Sequence, residues 1–191
     1  MSRRWCRAVV LGVSCVVAVV PACGRQGSAG PSAPASSALV SSASASASLS
    51  QDELYAEAER VYRAYFELEQ QAFLEGGVNG VPVEMNQYIM GKYSLMFSGA
   101  LAQMAKNGWR MKPGTREQIA SLKWAPEITR EDSLATLQVC IDSNDSPLID
   151  SSGTVIGGGL NLNSMFFKYD TDGDLKIYGG NGEGVDSCEI Y

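Results

Sequence analysis

Past position 50 the apolar residues recur first at helical and then at alternating spacing, and this change of period divides the chain into two kinds of element. Leu54, Ala58, Val61, Tyr62, Tyr65, Leu68 and Ala72 stand at intervals of one to four residues that collect side chains on one face of a helix. Ser50, followed three residues later by Glu53, has the form of a capping box, and Asp52 and Glu53 put negative charge at the positive end of the helix dipole. A helix is therefore predicted from Gln51 to Glu75, stopped by Gly76 and Gly77. After a Gly/Pro-rich turn, Met85, Tyr88, Ile89, Leu95, Met96, Leu101 and Met104 carry a second helical pattern, broken near Gly91 or Gly99 and ending at Asn107-Gly108. Its Tyr/Met stripe reads as core, because Met fills irregular gaps.

Beyond Gly108 the period shortens. Ala135, Leu137, Val139 and Ile141 fall on one face of a strand, with Thr136, Gln138 and Cys140 on the other. Leu160, Leu162 and Phe166, interleaved with Met165, Phe167 and Tyr169, predict a strand buried on both sides, and Leu175 and Ile177 begin a last one. Turn clusters at Lys112-Pro113-Gly114, Asp142 to Asp145, Asp150 to Gly153 and Asp170 to Asp174 separate them. Helices first and strands after, joined by short turns, predict an α+β domain with an antiparallel sheet packed on its helices.

Before position 51 the pattern is of another kind. Arg3, Arg4 and Arg7 precede thirteen uncharged, mostly aliphatic residues from Ala8 to Val20, too few to cross ~30 Å of hydrocarbon as a helix but right for the core of a signal peptide. Val20-Pro21-Ala22-Cys23 follows and resembles the bacterial lipobox, which makes residues 1–22 the signal peptide and Cys23 the lipidated first residue of the mature protein. The Ser-Arg-Arg start also partly resembles a twin-arginine signal, without its following phenylalanine. Gly24 to Ser50 is almost entirely Ser, Ala, Gly and Pro; such a segment cannot bury enough surface to offset its ordering entropy. Residues 23–50 thus read as a lipidated tether, roughly 30 Å in average reach, and residues 51–191 as one domain. The expected location is the outer face of the cytoplasmic membrane, on the cell surface.

Cysteine usage agrees with export. Cys6 and Cys15 leave with the signal and Cys23 takes the lipid, so Cys140 and Cys188 remain; outside the cytoplasm a disulfide between them is the default. A tetrahedral zinc site would need further Cys or His ligands, and the chain has no histidine. Beyond position 50 stand eleven basic residues against all 21 acidic ones. An acidic domain repels phosphate backbones and anionic headgroups, so no nucleic-acid partner is expected and membrane attachment rests on the lipid at Cys23.

The element order, the Asn107 to Arg110 step into the sheet, the strand Ala135 to Asp142, the Leu148 to Gly153 turn and the cysteine near the C-terminus together resemble tethered actinobacterial lipoproteins with a fold similar to the nuclear transport factor 2-like, or cystatin-like, superfamily. The resemblance covers roughly Gln51 to Cys188. It implies a curved sheet wrapping the first helix into a cone, whose pocket is an isomerase or hydrolase site in some members and protein-binding or empty in others. The Gly-rich stretch from Gly179 to Gly184 departs from that pattern, standing where a well-formed last strand is expected.

Without histidine, nucleophile-base arrangements that depend on it are excluded. A carboxylate base with a tyrosine donor in an apolar cone needs only residues present here, and Tyr62, Tyr65, Tyr88, Glu67 and Glu69 are the candidate pocket residues; Asp142 and Asp150 lie in polar turns where water keeps them ionised. Asp170, Asp172 and Asp174 resemble the start of a calcium loop, but Leu175 stands where that loop needs glycine and Asn181 where it needs glutamate, and Asp172-Gly173 is itself a hairpin signal. No cofactor or metal is expected. The favoured function is a non-enzymatic, surface-tethered binding or accessory domain for an envelope protein or a small apolar ligand; the alternative is a histidine-independent isomerase or hydrolase using a carboxylate and tyrosine.

Overall fold

The computed structural model describes residues 49–78 and 80–189. The signal peptide, Cys23 and nearly all of the tether lie outside the described residues. Helix α1 (Gln51–Leu74) opens with the capping box: Ser50 Oγ accepts from Glu53 N–H and the Glu53 carboxylate accepts from Ser50 N–H. Its buried face is Tyr55, Ala58, Val61, Tyr62, Tyr65, Phe66, Gln70 and Ala72. A 3₁₀ turn (Val83–Gln87) leads to α2 (Gly91–Asn107), which ends at Gly108 in the left-handed conformation.

A four-stranded antiparallel sheet in the order β2-β3-β6-β7 forms the body of the domain, from β2 (Gln118–Trp124), β3 (Ala135–Asp142), β6 (Leu160–Tyr169) and β7 (Leu175–Val185). A smaller antiparallel sheet, β1-β4-β5, joins Arg110–Met111, Leu148–Ile149 and Val155–Gly157. Helix α1 packs on β3 and β7, and α2 packs on β7. The α+β class and its antiparallel sheet agree with the periodicity.

The core lies between the helices and one face of the larger sheet. Ala135, Leu137, Val139 and Ile141 of β3 meet Val61, Tyr62, Tyr65 and Phe66 of α1 and Tyr93, Phe97, Leu101 and Met104 of α2 in one cluster. Cys140 and Phe166 are also buried but stand outside that cluster, on the opposite face. There the Arg130 guanidinium lies 5.5 Å from the Phe166 ring centre, and Cys140 is bonded to Cys188. The disulfide thus reaches the sheet from the face away from the helices, and the Ser121 hydroxyl donates to the Cys188 carbonyl at 3.2 Å beside it.

Three local expectations change. The periodicity placed Leu95 and Met96 in the buried stripe of α2, but they are 75% and 56% exposed and Tyr93 and Phe97 take the core face. Strand β2 was not expected, because a bulge between Ile119 and Ser121 breaks its alternation, so that Ile119 and Leu122, three apart, both pack on the core. The glycine-rich stretch does not replace the last strand: it is the second half of β7, paired with β6 as far as Leu160 opposite Val185.

Candidate functional site

The glycines of β7 shape a pocket. A second bulge, opposite Phe166 and Phe167, turns Gly180 and Gly182 toward the helices. A Cβ on Gly180 would stand 2.9 Å from the Tyr93 ring, and one on Gly182 would stand 2.3 Å from Asn163 Oδ1. Missing side chains therefore make the room that Tyr93 and Asn163 occupy. The cavity beside them, about 190 Å³, is lined by Tyr62, Tyr65, Glu69 and Phe73 of α1, Tyr93 of α2, Glu117 and Ser143 at the ends of β2 and β3, Ile141 of β3, and Asn161, Asn163 and Met165 of β6. It is open on one side and below the ~300–1,000 Å³ of drug-sized sites.

Glu69 is the pocket's carboxyl group with a raised pKa. The Tyr65 hydroxyl donates to Glu69 Oε1 at 2.6 Å and stands 3.0 Å from the Tyr93 hydroxyl; since the single proton of Tyr65 goes to Glu69, Tyr93 is the donor of the second bond. Tyr65 is Glu69's only hydrogen-bond partner among the described residues, and no basic group pairs with it. The residue is part-buried and keeps some exposure. Desolvation pushes its pKa up to about 8, the Tyr65 hydrogen bond works against that shift, and the charge of Glu117 adds to it. Burial likewise raises the phenols of Tyr62, Tyr65 and Tyr93. At neutral pH Glu69 is thus predominantly a neutral acid that can still release its proton.

Glu117 is held differently. Buried Gln70 donates through Nε2 to Glu117 Oε2 at 2.8 Å and accepts from the Glu117 N–H at 2.9 Å, and the Ser143 hydroxyl donates to Glu117 Oε1 at 2.6 Å. The two-point pairing with Gln70 fastens the segment before β2 to α1, and through it fixes the carboxylate at the pocket wall.

Of the five residues picked out along the chain, Tyr62, Tyr65 and Glu69 meet at this pocket. The structure separates the other two from it. Glu67 is 60% exposed and ion-paired with Arg116, because a residue two positions from Glu69 on a helix faces away from it. Tyr88 lines a different concavity, an open groove of about 1140 Å³ between the first turns of α1 and the β6–β7 turn. That groove is larger, but its Glu57 and Arg60 pair with each other and it holds no buried titratable group, so the smaller pocket is the chemical candidate. Tyr93, Glu117, Asn161 and Asn163 carried no signal in the sequence, since only tertiary contacts bring them to α1.

The aspartates in turns are spent on structure. Asp150 Oδ1 accepts from the backbone of Ser152 and Thr154, Asp170 Oδ1 from that of Asp172 and Asp174, and Asp170 also pairs with Lys176 at 2.8 Å. The Ser152 hydroxyl, which donates to Asp150 Oδ1 at 2.6 Å, and the Lys176 ammonium at Asp170 do most to hold these carboxyls below their ordinary range, with the backbone bonds adding to them. Among the described residues no group of three His, Cys, Asp or Glu side chains could hold a metal ion, and no helix is long and apolar enough to cross a membrane. No protein-family model matches the chain, and no curated protein matches it.

Proposed function

We propose that this chain is an exported, lipid-anchored cell-surface protein whose α+β domain is a receptor for a small ligand, bound in the pocket beside Glu69. One observation carries the binding reading: a carboxyl without a basic partner is retained at the wall of a small cavity between aromatic rings. An unpaired, desolvated acid costs stability, and such groups concentrate at functional sites. The polar lining favours a small polar ligand over the apolar one expected from the sequence. The nuclear transport factor 2-like cone belongs to the same proposal, supported by α1 lying on β3 and β7 and by bulges in β2 and β7, which bend strands. The lipobox-like run ending at Cys23 supports the anchor.

The ligand-binding reading is tested by melting the protein against a panel of compounds small enough for 190 Å³, beside an Asn161→Trp variant that fills the pocket. Compounds should raise the melting temperature of the wild type and not of the variant; equal shifts in both would place binding elsewhere. For the anchor, Cys23→Ala should move the protein from the membrane fraction to the medium or leave an unprocessed precursor. Wild-type protein found soluble and beginning downstream of Cys23 would overturn it.

A second reading, proton transfer at carbon, draws support from Glu69 titrating near the pH of use, as a general base should, next to two hydroxyl donors. Binding is preferred because Tyr65 spends its proton on Glu69 itself, whereas an isomerase site sets donor and base across a substrate from one another. Glu69-dependent exchange of deuterium into the α-carbon of small ketones would reverse that preference.

A further inference from the structure

The lining of the pocket specifies the charge of its ligand. Two carboxyl groups, Glu69 and Glu117, face it with three tyrosines and Phe73, and no lysine or arginine is among its lining residues. The nearby cations are committed on the outside: Arg116 pairs with Glu67 and Arg63 with Glu59, both arginines more than half exposed. An anion would meet the charge of Glu117 and keep Glu69 in its neutral form, whereas a cation is attracted by Glu117 and by Glu69 once that carboxyl gives up its proton. The rings add to the same preference. Tyr62, Tyr65 and Tyr93 line the same space beside the carboxyl groups, and aromatic rings attract cations whose charge is spread over carbon substituents.

We propose that this pocket binds a small organic ammonium ion, its charge balanced by Glu69 and Glu117 and its alkyl surface packed among Tyr62, Tyr65 and Tyr93. This rests on the receptor reading above and names its ligand class. An inorganic cation is a poor fit, because two carboxyl groups without a third charged ligand do not make a metal site. Roughly six waters, at ~30 Å³ each, fill such a volume, and a tetramethylammonium or choline ion displaces about that many.

Binding also moves a proton. The groups facing Glu69 among the described residues are Tyr62 and Tyr65 of its own helix, Tyr93 of α2 and Glu117 before β2; none of these is cationic, so an incoming ammonium supplies the positive charge that ionises it. Below about pH 8, where Glu69 holds its proton, the ligand displaces that proton to solvent, and affinity rises about tenfold per pH unit until the carboxyl is ionised in the free protein.

The experiment is calorimetric titration of the purified full chain with choline, with its neutral carbon isostere 3,3-dimethylbutan-1-ol and with 3,3-dimethylbutanoate, at pH 6, 7 and 9 and in two buffers of different ionisation heat. Choline should bind, tighter at pH 7 than at pH 6, with release approaching one proton; Glu69→Gln should abolish the release and the pH dependence, and Glu117→Gln should weaken binding about tenfold or more while keeping the release. If the neutral isostere binds as well as choline, the ligand-class inference is overturned and the receptor reading stands. If none of the three binds at millimolar concentration, the ligand-class inference is overturned, and the receptor reading is decided by the melting panel with Asn161→Trp. Choline binding unchanged by both glutamine variants would overturn the placement at this pocket.

Discussion

Glu69 couples the stability of the domain to pH in a window of its own. The folded protein keeps this proton up to about pH 8, whereas a glutamate in the unfolded chain loses it near its ordinary value of 4.5. Between those values the native state binds more protons than the unfolded state, so stability is fully present below pH 4.5 and falls as pH rises toward 8. Glu53, Glu57, Asp150 and Asp170 are shifted the other way by hydrogen bonds or, for Glu57, by Arg60; their contribution is present above their ordinary values and lost in acid. Glu69→Gln should therefore leave the melting temperature near pH 4.5 almost unchanged and raise it relative to wild type at pH 8 to 9. A displacement of equal size at every pH would mean that the carboxyl is solvated in the folded protein. Part of this site was legible along the chain, because Tyr65 and Glu69 stand one helical turn apart and so share a face. Tyr93 and Glu117 were not, being placed by the crossing of α2 and by the Gln70 clamp, contacts across 28 and 47 residues that no local pattern encodes.

Among the elements, the α1–α2 corner depends on one glycine. Gly77 has φ of +75°, and a Cβ there would lie 2.2 Å from the Leu101 carbonyl oxygen and 2.9 Å from Met104 Cβ, so any side chain pries α2 from the end of α1. Gly114 has nearly the same backbone, φ +79°, in open space. Gly114→Ala should cost the ~1–2 kcal/mol of left-handed backbone, and Gly77→Ala clearly more, measured by urea unfolding of both; equal costs would show that the corner relaxes freely. Helix α1 could be read from the sequence to within a residue of its end because its cap, its charges and its apolar stripe agree. The sheet was readable where alternation is unbroken, in β3, and hidden where it is not. The bulge of β2 moves Leu122 to the face of Ile119, and β7 carries glycines where β-branched residues announce a strand. Those glycines are legible only once Tyr93 and Asn163 are seen filling the space they leave.

At the scale of the whole domain, a covalent link ties the segment after β7 to the middle of the sheet. The disulfide between Cys140 and Cys188 spans a sequence separation of 48, a loop that stabilises by roughly 4 kcal/mol in the chain-entropy model. The Cys140→Ala, Cys188→Ala double variant should unfold at correspondingly lower urea with an unchanged dependence on denaturant; a loss under ~1 kcal/mol would mean that the C-terminal segment is held well without the bond. Cys140 is fully buried and Cys188 half-buried, so a mild reductant should attack the bridge at the Cys188 sulfur. The link also determines how the protein meets peptidases. Chain ends are where trimming begins, since they fray and can be drawn extended into an active-site cleft. Here an enzyme that draws in the segment around Cys188 meets a position stapled to a central strand, and one cut between Cys140 and Cys188 would leave both fragments attached. Degradation through this segment must then wait for the sheet to open, so its rate is set by unfolding and not by the exposure of the residues around Cys188.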